Sequence, residues 1–311
     1  MNDRLAGIYA ASITPVDEDG RVDVPRLLGH LRWLLQRGCH GVAVFGTTGE
    51  ATSFPVAERR RALEAVVEAG IDPQRLMVGV GCTNRDDTLE LARHARGLGV
   101  ADLLILPPFF YKNVPDEGLY RAFAEVLDGL DDGARLVLYH IPQVSGVPVT
   151  FPVIERLRRR DPVRVAGIKD SSGDLGHTLR LIDSFPGLAV FSGSDRHLLD
   201  NLRRGGAGVI TAGNNLVADW SRRVWDAHRA GRAAEAESWM TKVATVRAIL
   251  ESRPVVSALK AVLAAGRGDP ALERVRPPLV ELPASAREEL LAELDAAGFS
   301  YEPADFTAVA D

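Results

Sequence analysis

Cysteine, lysine and long apolar runs are all scarce in this 311-residue chain, and each scarcity excludes something. The two cysteines, Cys39 and Cys82, match no metal-binding spacing and could close at most one disulfide. A zinc module or a disulfide-built fold is therefore excluded, and small buried hydrophobes are expected instead. No apolar run approaches the ~18 residues of a membrane-spanning helix. Residues Met1 to Thr14 carry Asp3 and Arg4 and lack the basic start and cleavage pattern of a signal peptide, which points to the cytoplasm. A net charge of −5 offers no basic excess for a nucleic-acid partner. No Gly/Ser linker or low-complexity tract marks off an independent domain.

Lysine is the most telling shortage. Of 37 basic residues four are lysine, namely Lys112, Lys169, Lys242 and Lys260, and the remaining 37 − 4 = 33 are arginine. Where arginine is the habitual cation, a lysine inside an apolar segment needs a local reason, because desolvating an ammonium is costly. Lys169, in Val-Ala-Gly-Ile-Lys, is such a lysine.

With 46% hydrophobic and 25% charged residues, the chain has the composition of a folded soluble protein. Eight short aliphatic runs alternate with amphipathic stretches. The runs are Ile8–Pro15, Gly41–Gly46, Leu76–Gly81, Asp102–Pro107, Arg135–Ile141, Val163–Lys169, Leu188–Ser192 and Gly208–Ala212. They read as strands covered on both faces. Capping residues precede the helical patterns: Asp23, Ser53, Asp86 or Asp87, Asp116, Thr150 and Asp174. Eight βα repeats predict a (β/α)8 TIM barrel over residues 1–230, an open doubly wound sheet being the alternative. Three further helices, near Ala233–Glu251, Val255–Ala265 and Ala284–Ala297, predict a C-terminal helical appendage over residues 231–311.

In such a barrel the reactive groups sit at the carboxyl ends of the strands. Strand two ends in Gly46-Thr47-Thr48-Gly49-Glu50, strand four in Pro107-Pro108-Phe109-Phe110-Tyr111, strand five in Tyr139-His140-Ile141-Pro142 and strand six in Gly167-Ile168-Lys169-Asp170. Desolvation at an apolar strand end favours the neutral amine, which makes Lys169 a candidate nucleophile toward a carbonyl. Pairing with Asp170 is the plainer alternative. Tyr139 lies on the preceding strand, within reach of the same cavity. The Gly46–Gly49 turn offers hydroxyls and backbone N–H groups to a carboxylate, but lacks the Gly-Lys-Ser/Thr ending of a P-loop. Strand alternation turns His140 to the opposite face, as a core histidine. The run Arg156 to Arg160 reads as a solvated helix face, and Trp220, Trp225 and Trp239 as packing for the last helices.

Together these segments resemble the dihydrodipicolinate synthase/N-acetylneuraminate lyase family, the class I pyruvate-dependent aldolases. The likeness rests on Ile13-Thr14-Pro15 with Asp19-Gly20, Gly-Thr-Thr-Gly-Glu, Tyr-x-x-Pro, Gly-Ile-Lys-Asp-Ser-Ser-Gly and Ser192-Gly193-Ser194-Asp195, in that order along nearly the whole chain. The resemblance implies the barrel with C-terminal helices, assembled as a homotetramer built from dimers. It implies that Lys169 forms an imine with pyruvate or another 2-oxo acid, with no metal or other cofactor. Tyr139 would relay protons, Thr47 would hold its phenol, and Tyr111 would complete the relay across a dimer interface. Thr47 and Thr48 would seat the pyruvate carboxylate, with backbone groups of Gly193 and Ile210 nearby. Ser171 and Asp195 match positions facing a sugar tail, although Ser171 also suits a turn and Asp195 a helix N-cap.

One departure bears on substrate. Dihydrodipicolinate synthases carry an arginine after the strand-five tyrosine that grips aspartate semialdehyde; here Val144 stands there. An aliphatic side chain cannot replace a charged clamp. Arg196 stands where sialic-acid lyases have an acidic residue. The reading is a Schiff-base lyase or aldolase acting on a 2-keto-3-deoxy sugar acid. Dihydrodipicolinate synthesis and a non-catalytic pyruvate-binding protein are the alternatives. A phosphate site at Gly193-Ser194 and Gly213-Asn214-Asn215 is a third, without a dedicated cation.

Overall fold

The computed structural model describes residues 5–301, so Asp3 and Arg4 lie outside the described residues. Eight parallel strands close into a barrel in sequence order: β1 Gly7–Ala11, β2 Gly41–Val44, β3 Leu76–Gly79, β4 Asp102–Ile105, β5 Arg135–His140, β6 Val165–Asp170, β7 Ala189–Ser192 and β8 Gly208–Thr211. Closure removes the choice between barrel and open sheet. All eight expected strands form, each trimmed at one end, while β1 gains Gly7 and β6 gains Asp170; at the ends of the runs for β1, β2, β3 and β4 the lost residues include the proline or glycine that falls in the turn. Val163, expected in strand six, sits 75% exposed in the turn before β6.

Helices follow the strands: α1 Val24–Gln36, α2 Val56–Glu68, α3 Arg85–Gly97, α4 Asp116–Asp128, the short α5 Pro142–Ser145, α6 Phe151–Arg160, α7 Leu175–Ser184, α8 Leu198–Arg203 and α9 Asn214–Arg229. Helix α1 shows the local logic. The Asp23 carboxylate accepts from the Arg26 N–H, Pro25 lies in the first turn, and Leu27, Leu31 and Leu34 bury one stripe against the barrel. Three expected caps fall elsewhere. Pro55 rather than Ser53 precedes α2, Asn84 rather than Asp86 or Asp87 caps α3, and Pro115 precedes α4 with Asp116 as its first residue. Asn84 wins because its side chain accepts from the Asp87 N–H, leaving both aspartates in the first turn, where the helix dipole favours them.

The remaining helices, α10 Ala233–Glu251, α11 Val255–Arg267 and α12 Ala284–Ala296, pack on one side of the barrel. Met240, Val243, Leu259 and Leu263 share a core with Ile8 of β1, Ile13 just beyond it and Val209 of β8. Trp220 meets Trp239 and Phe299 here, as the sequence suggested for the last helices. The arginine-rich end of α6 is a surface face tied by ion pairs, including Arg160 to Asp128. Both cysteines are free thiols, and burial pushes Cys39 up to about 12. Among the described residues no helix is long and apolar enough to cross a membrane.

One irregularity sets the phase of the functional strands. Leu136 pairs with Val165, but Val137 pairs with Gly167, so Ala166 is an extra residue on β6. From there on the pairing runs Tyr139 to Lys169 and His140 to Asp170.

Candidate active site

Because β5 and β6 are neighbours in that register, Tyr139 and Lys169 both project into the barrel end. Lys169 Nζ lies 3.2 Å from Tyr139 Oη, and Thr47 Oγ1 lies 3.3 Å from the same oxygen. Lys169 and Tyr139 are buried, at 4% and 3% exposure, whereas Thr47 is open to the cavity. Burial alone would raise the Tyr139 phenol. The Lys169 ammonium and hydrogen bonds from Thr47, Lys169 and Ser171 outweigh it and hold the phenol below its ordinary value.

The Gly46–Glu50 turn that presents Thr47 is tightly tied. Phe45 and Glu50 both adopt left-handed backbone without being glycine, a conformation that persists only when its surroundings enforce it. The Glu50 N–H donates to the Thr47 carbonyl at 3.1 Å, and Thr14 Oγ1 donates to the Gly49 carbonyl at 2.8 Å. The threonine of Ile13-Thr14-Pro15 is thus a strut for the turn.

A cavity of about 500 Å³ opens over Lys169, with Thr47, Thr48, Ser171 and Gly193 on its walls. Gly193 is required there, since a Cβ would stand 1.9 Å from Ser171 Oγ. A second, largely apolar cavity of about 260 Å³ adjoins it, lined by Phe45, Leu104, Leu106 and Phe109. Thr47, Tyr139, Ile141 and Val144 border both.

Some expected residues are placed differently. Asp195 does not line the cavity: its buried carboxylate accepts from Thr211 Oγ1 and from Arg247 Nη1 at 3.3 Å. Nor is it a helix cap, because it is itself the first residue of a short 3-10 turn that follows Ser194. The cation on α10 claims the charge that was expected to meet a sugar. The Ile210 side chain is packed inside the barrel with Tyr9 and Phe191. Tyr111 is 74% exposed, stacked edge-on against Phe110, and away from Lys169's cavity walls. Asn214 and Asn215 are spent on the fold, donating to the carbonyls of Tyr9 and Ala11. Asp170 faces outward, where it accepts from Ser172 N, Thr178 Oγ1 and His177, so it is no partner for Lys169.

His140 also faces outward. Its Nδ1 accepts from the Val149 N–H, and His140, Asp170 and His177 bring three metal-ligating atoms within 4.8 Å of one another. The two imidazoles, however, stack with centroids 4.6 Å apart and planes 15° apart. Stacked rings cannot both aim an in-plane lone pair at one ion, so this trio is a hydrogen-bonded brace.

Sequence reasoning missed a second buried lysine. Lys260 on α11 donates to Glu50 Oε1 and, at 2.7 Å, to the Arg274 carbonyl, while the Arg276 N–H holds the other Glu50 oxygen at 2.8 Å. Both side chains are fully buried. The scarcity that singled out Lys169 would have flagged Lys260 too. Arg247 and Glu251 of α10, also missed, reach the far wall of the cavity.

A model of the dihydrodipicolinate synthetase family matches residues 4–297. The chain is 42% identical over 259 residues to an uncharacterized DapA-like lyase of Chloroflexus aurantiacus, covering 83% of this chain and 85% of that one. It is 34% identical over 294 residues to a 4-hydroxy-tetrahydrodipicolinate synthase of Streptomyces coelicolor, covering 94% and 95%. Among solved structures, a prophage protein of the dihydrodipicolinic acid synthase family from E. coli K12, in complex with pyruvate, superposes with a TM-score of 0.86 at 25% identity, covering 94% and 99%.

Proposed function

Because the chain belongs to the dihydrodipicolinate synthetase family, whose members are class I pyruvate-dependent lyases and aldolases, we propose that it cleaves or forms a carbon–carbon bond next to a pyruvate-derived enamine. The favoured substrate is a 2-keto-3-deoxy sugar acid. The observation that carries the chemistry is the buried Lys169 amine, 3.2 Å from an acidified phenol at the strand ends of a closed barrel.

In this mechanism Lys169 Nζ adds to the 2-oxo carbon, the former carbonyl oxygen takes one proton from the amine and one from Tyr139, and water leaves to give the protonated imine. In the cleavage direction Tyr139 takes the proton of the 4-hydroxyl. The C3–C4 pair moves into the enamine and an aldehyde departs. Protonation at C3 and hydrolysis then release pyruvate and free the amine. The Thr47–Thr48 turn holds the substrate carboxylate, Thr47 steadies the phenol, and Ser171 and Gly193 flank the imine. Assembly as a homotetramer belongs to the same reading. The exposed Phe110 and Tyr111 are the surface through which one protomer would complete its neighbour's relay.

The substrate preference rests on Val144, which borders both cavities and brings no charge to the carboxylate of aspartate semialdehyde. The names of relatives favour that condensation as the second reading. Two measurements separate the possibilities. Pyruvate with borohydride should add one adduct, found by mass spectrometry on Lys169; an unlabelled Lys169 removes the mechanism. A lactate dehydrogenase-coupled assay should show pyruvate release from keto-deoxy sugar acids. Efficient condensation with the semialdehyde, together with silence on every sugar acid, reverses the preference.

A further inference from the structure

The far wall of the cavity comes from the C-terminal helices and carries a chain of four charges. Arg196, in the turn after β7, donates to Glu251 Oε2. Arg247 Nε donates to Glu251 Oε1 at 2.7 Å, and its Nη1 reaches the buried Asp195 at 3.3 Å. Two guanidiniums therefore meet two carboxylates, and the wall has no net charge. Arg247 and Asp195 are fixed, with side chains 13% and 0% exposed. Arg196 and Glu251 remain partly open, at 44% and 32%.

An arginine whose charge is already paired with a carboxylate is a poorer receptor for another one. The same rim suits hydroxyls, which can accept from a guanidinium N–H and donate to a Glu251 oxygen. We propose that Glu251 masks Arg196 and Arg247, making it a specificity residue that turns away 2-oxo acids with a second carboxylate at the far end and admits neutral, hydroxylated tails. This rests on the reading above for the 2-oxo end on Lys169, and places the tail toward α10, whose Arg247 and Glu251 line the same cavity. The masking explains how two arginines can line the cavity without supplying the clamp absent at Val144.

Borohydride trapping on the full-length enzyme tests this without turnover. Two six-carbon probes serve: 2-oxoadipate, with a far carboxylate, and 6-hydroxy-2-oxohexanoate, whose tail is neutral and lacks the 4-hydroxyl that cleavage needs. Mass spectrometry reads the concentration of each that half-labels Lys169. The wild-type enzyme should favour the hydroxy acid, and Glu251→Gln should shift the ratio toward 2-oxoadipate by about tenfold, the order of one charge-assisted contact. Adding Arg196→Gln to that variant should return most of the shift. A ratio unmoved by Glu251→Gln, or a wild-type preference for 2-oxoadipate, overturns the masking, and labelling by neither probe overturns it together with the imine. If the ratio shifts as expected while no sugar acid yields pyruvate, the masking stands and the sugar-acid reading falls.

Discussion

Two lysines are buried at the same end of this barrel, and their surroundings give them opposite work. Lys260 on α11 meets a carboxylate and a carbonyl, with both members of the ion pair sealed from water. Burial lowers the Lys260 ammonium, and Glu50 pulls it back up. Lys169 on β6 is almost as buried, but the partner it meets is a phenol, and a cavity stands open before it. A buried amine is reactive where its neighbour can exchange a proton, and structural where its neighbour is a fixed anion. The two are also linked. Glu50 closes the turn that carries Thr47, so the ion pair anchors the loop on which the Tyr139 phenol leans.

The sharpest way to break this comparison is to remove each amine in turn. Lys169→Met should abolish borohydride labelling and turnover while leaving the thermal midpoint unchanged or raised, since it replaces a buried polar head, held by a phenol and no ion pair, with an apolar side chain of similar length. A labelled or active Lys169→Met enzyme means that another amine does the chemistry. Tyr139→Phe comes next: it should keep pyruvate binding and lose ~10²–10⁴-fold in kcat, the usual share of a general acid–base group. A wild-type kcat would make the tyrosine structural.

Lys260→Met should do the reverse of the Lys169 change. Leaving Glu50 buried and unpaired costs about 3–5 kcal/mol, visible in urea unfolding, and Glu50→Gln in the same chain should recover much of it. Labelling of Lys169 should survive in whatever fraction folds. If Lys260→Met is as stable as wild type, the pair is dispensable and the contrast fails. The smallest effect belongs to Thr47→Val. Losing one neutral hydrogen bond costs about 0.5–1.5 kcal/mol, roughly two- to twelvefold in kcat/KM. That bond helps hold the Tyr139 phenol below its ordinary value, so the alkaline limb of the pH profile should move upward. A limb that stays in place would separate Thr47 from the relay.

The order of elements was legible because each strand carries a short, mostly aliphatic run and the stretches between them open on capping residues or prolines. Lys169 and Tyr139 were legible because both stand at the carboxyl ends of adjacent strands, although the bulge that sets them side by side was not. Long-range partners were not. Lys260 sits 210 residues from Glu50 and reads locally as one polar position in an apolar helix. Asp195 lies in a recognisable motif, but its direction is decided by Arg247, 52 residues away on a helix whose pattern says nothing about the barrel mouth. The helices past residue 230, expected as an appendage, share a core with β1 and β8 and furnish cavity wall. We propose that they and the barrel fold as one cooperative unit.

The extra residue at Ala166 carries a final consequence. Ahead of it the two strands are offset by 29 positions, and beyond it by 30. With the first offset kept throughout, Tyr139 would lie beside Ile168, and Lys169 would turn out toward the helices. The chemistry of this barrel therefore hangs on a count as much as on any side chain. A lineage can exchange the residue at 166, or lose it and keep Tyr139 beside Lys169, but a pairing slip that drew Ala166 into line with Val137 would silence the enzyme without touching one of its reactive groups.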